Sequence, residues 1–299
     1  MRIIVLGSAA GGGVPQWNCR CPVCLLAWRG DGQVKRRTQS SIVVSNDDEA
    51  FVLVNASPDI RQQILADPLL QPRHGPRSTP LRACVVTSAD VDHVAGLLTL
   101  REGQPFELFA TGATLAALAA NPILAVLGHD RVARRPIALE TPFEPAPGLV
   151  FTAFAAPGKV ALWQEGANVE IGGEGEETIA LELRGGGKRA FYSPACLKVT
   201  PALKERIAGV DALMFDGTTF VDSELIDLGL SLKSARRMGH VPMSGPDGSI
   251  AGFADLPVGR KIFVHLNNSN PVLIEGSPER RRVEAAGWEV AYDGMEIAL

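Results

Sequence analysis

Arg82-Ala83-Cys84-Val85-Val86-Thr87-Ser88-Ala89-Asp90-Val91-Asp92-His93-Val94-Ala95-Gly96-Leu97-Leu98 is the stretch on which the reading of this chain turns. Its first part is a short apolar run, the pattern of a buried strand, and the run stops at Ser88. Asp90, Asp92 and His93 then arrive together, and an apolar helix is expected from Val94. Three side chains able to hold a metal, set between a buried strand and a helix start, would be rigid on both sides. Acidic residues at a helix start also suit the positive end of the helix dipole with no metal at all. The metal reading therefore depends on partners supplied from elsewhere in the chain.

The 299-residue chain is 46% apolar and carries a formal net charge of −4. That permits a large core, in one α/β domain or two, and argues against a nucleic-acid surface as the main business. No apolar run reaches the roughly 18 residues of a membrane span. Residues 2–7 read as a strand, with no basic segment or cleavage site before it, so a cytoplasmic protein without a signal peptide is expected. Five cysteines in such a setting suggest thiols or metal sites rather than disulfides.

Working outward, Gly11-Gly12-Gly13 follows the first strand but lacks the Lys-Ser/Thr of a phosphate loop, and is expected to pack close to a site floor. Cys19-x-Cys21-x-x-Cys24 has the spacing that wraps a tetrahedral zinc, and it needs a fourth ligand from elsewhere. Residues 41–45 and 51–54 read as paired strands. Asp59, after Pro58, is expected to serve a short helix start through its charge. His74 and His129 lie in polar turns and are expected at the surface, whereas Cys196 reads as a packed thiol. Further strands are expected at 106–110, 149–156, 178–183, 189–193, 210–215 and 288–292. Helices are expected at 113–120, 123–127, 200–208, 233–237 and 278–286. Three more strand exits carry polar groups: Lys159 after Ala156-Pro157-Gly158, Asp216 before Gly217, and His265 before Leu266-Asn267-Asn268. His240, in Met238-Gly239-His240, is a further site candidate.

Ser88-x-Asp90-x-Asp92-His93 resembles the His-x-His-x-Asp-His motif of the metallo-β-lactamase superfamily, with its first two histidines replaced and its Asp-His half intact. The resemblance implies one αββα domain over residues 1–299, two mixed sheets flanked by helices, with a zinc-binding loop at about 19–24. It aligns Lys159 with a metal histidine, Asp216 with a metal-bridging aspartate, and His265 with the last metal histidine. His240 matches the histidine that donates a proton or hydrogen bond beside the metals. Asn55 stands at a normally acidic position. In the phosphodiesterase branch a histidine completes the structural zinc where this chain has Asn268, a weak ligand.

With Ser88, Asp90 and Lys159 in place of three histidines, the first metal pocket is degraded. Lys159 could act there as a counter-charge to carboxylates. Asp92, His93 and His265 survive for a lone ion, with Asp90 and Asp216 as further candidate ligands. Two histidines and one carboxylate form the facial triad of non-haem Fe(II) enzymes, and also suit a mononuclear zinc. The longer wording Gly-Ser-Ala-Ala-Gly-Gly-Gly-x-Pro-Gln-Trp-Asn-Cys-x-Cys-x-x-Cys, with Ser-Ala-Asp-x-Asp-His, Ala-Pro-Gly-Lys and Phe-Asp-Gly-Thr, is similar to a family of pyrroloquinoline quinone (PQQ) biosynthesis proteins. That resemblance implies a cytosolic protein acting on the pathway's peptide-derived precursor or on PQQ, beside other proteins of the pathway. Two roles follow from it: an iron-dependent hydroxylase of the tyrosine ring in a Glu-Tyr unit, or a carrier of PQQ or its precursor toward the periplasm. A zinc hydrolase is a third reading, disfavoured by the missing histidines. The expected ions are a structural Zn2+ and an active-site Fe2+ or other divalent metal, and the expected partners include a second copy of the chain in a homodimer.

Overall fold

The computed structural model describes residues 1–166 and 170–299. In chain order the strands are β1 (Arg2–Gly7), β2 (Ser41–Ser45), β3 (Phe51–Val54), β4 (Leu81–Val85), β5 (Phe106–Thr111), β6 (Val132–Ile137) and β7 (Pro142–Ala146). They continue with β8 (Leu149–Ala155), β9 (Ile179–Gly185), β10 (Lys188–Ser193), β11 (Ala212–Asp216), β12 (Arg260–Val264), β13 (Trp288–Val290) and β14 (Met295–Ala298). They make two seven-stranded sheets, ordered β14-β1-β2-β3-β4-β5-β6 and β13-β12-β11-β10-β9-β8-β7. Each is mixed: β3 to β6 and β10 to β13 pair in parallel, the rest antiparallel.

Both faces of the central strands are apolar, because each face has its own core to join. On β1, Ile3 and Val5 face the second sheet and Ile4 and Leu6 face the outer helices. On β12, Ile262 and Val264 enter the inter-sheet layer while Phe263 stacks on Trp288 outside it, their rings 4.0 Å apart. Burial on both faces turns such strands into continuous apolar runs. The result is the metallo-β-lactamase fold: helix layer, two mixed sheets, helix layer. Among the described residues no helix is long and apolar enough to cross a membrane.

Most expected elements are present. The β9–β10 hairpin turns on Gly186 and Gly187, with φ of 57° and 75°, which a tight primed turn requires. Three expectations change. The helix expected from Val94 begins at Val91 and relaxes to a 3-10 segment over Ala95–Arg101. There Gly96 presses on the loop after β3, where a Cβ would stand 2.0 Å from Ser57 O. The segments expected as helices at 123–127 and 233–237 are 3-10 turns, Pro122–Val126 and Arg236–Met238. Asp59 stands at the N-cap position of its short helix, and its side chain reaches across to the loop before β2, Oδ2 accepting from Gln39 N and Nε2 at 2.9 and 3.0 Å. Strands β6, β7 and β14, all at sheet edges, were not expected.

The strands that carry site residues share one edge. Parallel β3 and β4 end there, as do β8, β10, β11 and β12. Backbone bridges Ala9 to Leu266 and Ser88 to Thr178 tie the two sheets together along it.

Candidate metal centre

At the end of β4 the chain places Thr87 and Ser88 before the helix Val91–Val94 carries Asp92 and His93. Asp90 Oδ2 accepts a hydrogen bond from Ser88 Oγ at 2.9 Å. That hydroxyl has one proton, so toward His93 Nδ1, 2.8 Å away, Ser88 is the acceptor. The imidazole proton is thereby assigned to Nδ1, leaving Nε2 bare. His93 Nε2 is buried and has no hydrogen-bond partner among the described residues. Burial holds the His93 pKa below its ordinary value, which favours the neutral ring that binds metals.

From the second sheet β12 delivers His265 in the left-handed region, φ 56°. Thr218 Oγ1 donates to Asp216 Oδ1 at 2.7 Å, so it accepts from His265 Nδ1 at 2.9 Å. Again the proton is held on Nδ1. The bare Nε2 lies 3.1 Å from Asp92 Oδ2, and His93 Nε2 lies 3.9 Å from the same oxygen. One donor atom from each of Asp92, His93 and His265 falls within 4.8 Å of the others. Two imidazole lone pairs facing one carboxylate oxygen need a cation between them. A metal ion satisfies all three; failing that, a proton must. Burial works against charge here, yet Asp92 raises the His265 pKa, and His93 and His265 hold Asp92 well below the carboxylate range.

Asp216 is fully buried and serves as an anchor. Its Oδ1 accepts from Thr218 N and Oγ1, and its Oδ2 accepts from Cys196 N at 2.9 Å and from His240 Nδ1 at 2.8 Å. All of its near contacts are hydrogen bonds within the fold, although Asp216, His240 and His265 also lie within 4.8 Å of one another. His240 is thus fixed with Nδ1–H toward Asp216 and Nε2 free.

Asp90, Asp92, His93, Lys159, His240 and His265 all line one cavity of about 310 Å3. Gly11 is in its wall beside Asp92, as expected of a loop at the site floor. The carboxylate that Lys159 meets is Glu165, whose Oε1 is 2.8 Å from Nζ. Glu165 escaped the sequence reading because it stands in Leu162-Trp163-Gln164-Glu165-Gly166, which carries no motif. Thr218 was passed over too, although it sits two residues beyond Asp216 at a marked strand exit.

The thiols of Cys19, Cys21 and Cys24 converge within 4.8 Å. Asn268 closes the triangle, its Nδ2 lying 3.1, 3.7 and 3.3 Å from the three sulfurs. Half a turn of the carboxamide presents Oδ1 at the same place, as a fourth oxygen donor. The hydrogen bond from Cys21 pulls the Cys24 thiol down to about 6, so a thiolate is at hand. Cys196 is a buried thiol raised by burial, and His74 and His129 are exposed.

A β-lactamase superfamily domain model matches residues 51–266. Coenzyme PQQ synthesis protein B of Methylobacterium nodulans is 58% identical over 299 residues, covering all of both chains. The crystal structure of Zn(2+)-bound PqqB from Methylobacterium extorquens is similar at 57% identity, TM-score 0.99, again over all of both chains. A diphosphatase of the PhnP family shares the fold at 22% identity, TM-score 0.70, covering 99% of this chain and 97% of its own.

Proposed function

This chain belongs to the coenzyme PQQ synthesis protein B family of the β-lactamase superfamily, and on that premise we propose that it serves PQQ biosynthesis as a metal-dependent oxygenase that hydroxylates the tyrosine ring of a peptide-derived Glu-Tyr intermediate. The observation that supports it is Asp92 Oδ2 flanked by the bare Nε2 atoms of His93 and His265. Asp92, His93 and His265 would hold the ion at the cavity wall, the two-histidine, one-carboxylate set that suits non-haem iron. Bound there, non-haem iron supplies the dioxygen activation that organic side chains lack.

The residues around it bind and orient. His240 Nε2 faces the cavity as a proton acceptor for the ring hydroxyl, with Asp216 steadying the imidazolium that results. Leu162 and Met238 supply apolar wall for an aromatic ring. We assign a separate zinc to Cys19, Cys21 and Cys24 with Asn268.

The test is anaerobic reconstitution with Fe(II), followed by oxygen and a Glu-Tyr dipeptide. A catechol product detected by mass spectrometry is expected, and Asp92→Asn or His265→Ala should abolish it. No catechol from iron, manganese or zinc loadings would sink the oxygenase reading. The surplus of cations beside the cavity favours a second reading, a carrier for anionic PQQ or its precursor. PQQ binding that is tight and indifferent to His93→Ala and His265→Ala would establish that instead.

A further inference from the structure

Beside the metal centre the cavity rim holds more positive charge than it neutralises. Lys159 Nζ lies 2.8 Å from Glu165 Oε1, while Lys233 Nζ and Arg237 Nη2 each lie 3.4 Å from Oε2. Three cations share one carboxylate, and among the described residues no other acid pairs with any of them. The side chains of Lys159 and Glu165 are only 12% and 10% exposed, where charge is poorly screened. Lys159 is part of the cavity wall, and Arg237 leads directly into Met238, Gly239 and His240 of that wall. Arg237 Nη1 is enclosed with no acceptor among the described residues. A donor shut away unmade costs free energy that an incoming acceptor recovers. The Lys159 ammonium holds the neighbouring Glu165 carboxyl down at about 2, so Glu165 is a full negative charge at neutral pH.

We propose that Lys159, Lys233 and Arg237 form a carboxylate-binding subsite for the ligand of the metal cavity, and that Glu165 occupies it until the ligand's own carboxylate displaces it. The ligand class is an aromatic or quinoid molecule that bears a carboxylate, with its ring directed at the metal centre. Arg237 supplies a planar fork for two carboxylate oxygens and the lysines supply point charges. On the far side of Lys159 the adjoining cleft is lined by Glu170, Glu174 and Glu177, which repel an anion and confine it to the rim near Arg237. The proposal rests on the reading of the cavity as a site for an amino-acid-derived PQQ precursor or PQQ.

Calorimetric titration of the full chain loaded with Zn(II) tests it without turnover. The probes are PQQ, the Glu-Tyr dipeptide, and Gln-Tyr amide, which has lost both carboxylates. For the charged probes, Lys233→Ala with Arg237→Ala should weaken binding about tenfold or more and flatten its salt dependence. Glu165→Gln should tighten binding several-fold, because the internal competitor loses its charge. Gln-Tyr amide should be indifferent to all three substitutions. A response to PQQ with no binding of Glu-Tyr upholds the subsite and removes the Glu-Tyr substrate reading. Lys233 and Arg237 are more than a third exposed, so the variants should fold, which thermal melts check. Charged probes that bind folded Glu165→Gln and the double variant within about twofold of the parent overturn the proposal.

Discussion

Ser88 stands where the motif it resembles carries its first histidine, yet its hydroxyl would still serve an ion at one remove. It accepts from His93 Nδ1 and so turns the bare nitrogen toward Asp92; Thr218 does the same for His265. Partners at this distance commonly change metal affinity about 10- to 100-fold. Ser88→Ala and Thr218→Val should each weaken the active-site ion by roughly that factor, read by competition with a coloured chelator on protein that a thermal melt shows to be folded. Affinity within about twofold of the parent would show that something else selects the tautomers. The convergence of Asp92, His93 and His265 was legible in the sequence because each stands at the end of an apolar run or just past it, and their donor atoms do come within 4.8 Å of one another. The hydroxyls were not. Serine and threonine follow strands everywhere, and only a partner distant along the chain distinguishes these two.

The strands whose sequences carry no strand pattern sit together at the margins of the sheets. The missed strands β6, β7 and β14 are all edge strands, where one side of the backbone has no partner and the sequence has no need of a continuous apolar run. β6 contains Arg134-Arg135-Pro136 and β7 begins at Pro142 and contains Pro145, residues that edges tolerate and sheet centres do not. Short helices carry hidden duties in the same way. The helix Glu224–Asp227 has Glu224 buried beneath the His265 loop, its Oε1 accepting from Ser269 Oγ at 2.6 Å and its Oε2 from Phe220 N at 2.7 Å. Burial pushes this carboxyl from 4.5 up to about 7. The folded protein therefore keeps a proton that the unfolded chain has lost, so the contribution is complete below 4.5 and is lost as pH rises through about 7. Glu224→Gln imitates the protonated form. In urea titrations at constant metal it should match the parent at about pH 4.5 and exceed it by about 2–3 kcal/mol at about pH 8. An equal difference at both values would mean that Glu224 titrates as an ordinary glutamate.

At the scale of the molecule the site exists only where the two sheets meet. No strand reading alone could show that β4 and β12 end at one edge; the likeness of Ser88-x-Asp90-x-Asp92-His93 to a known motif carried that expectation. Two devices hold the edge shut. Backbone hydrogen bonds link Ala10 N to Leu266 O at 2.8 Å and Leu266 N to Ser8 O at 2.9 Å. The cysteine triangle then gathers the loop after β1 onto Asn268, three residues beyond His265. An ion among those thiols therefore fixes the backbone that aims His265 at Asp92. Cys21→Ala should lose the thiol-bound zinc, lower the melting temperature by roughly 5–10 °C, and weaken the active-site ion although none of its ligands is touched. Coupling of this kind is reciprocal in free energy, so Asp92→Asn must loosen the thiol site by the same factor. A site of three thiolates binds so tightly that such a loss leaves it full, whereas the weaker carboxylate–imidazole site shows it as vacancy. Metal analysis of the two variants should accordingly look one-sided: both ions diminished in Cys21→Ala, and the active-site ion alone missing from Asp92→Asn. Full active-site occupancy in Cys21→Ala, with unchanged chelator competition, would mean that the backbone bridges hold the edge without help from the thiols.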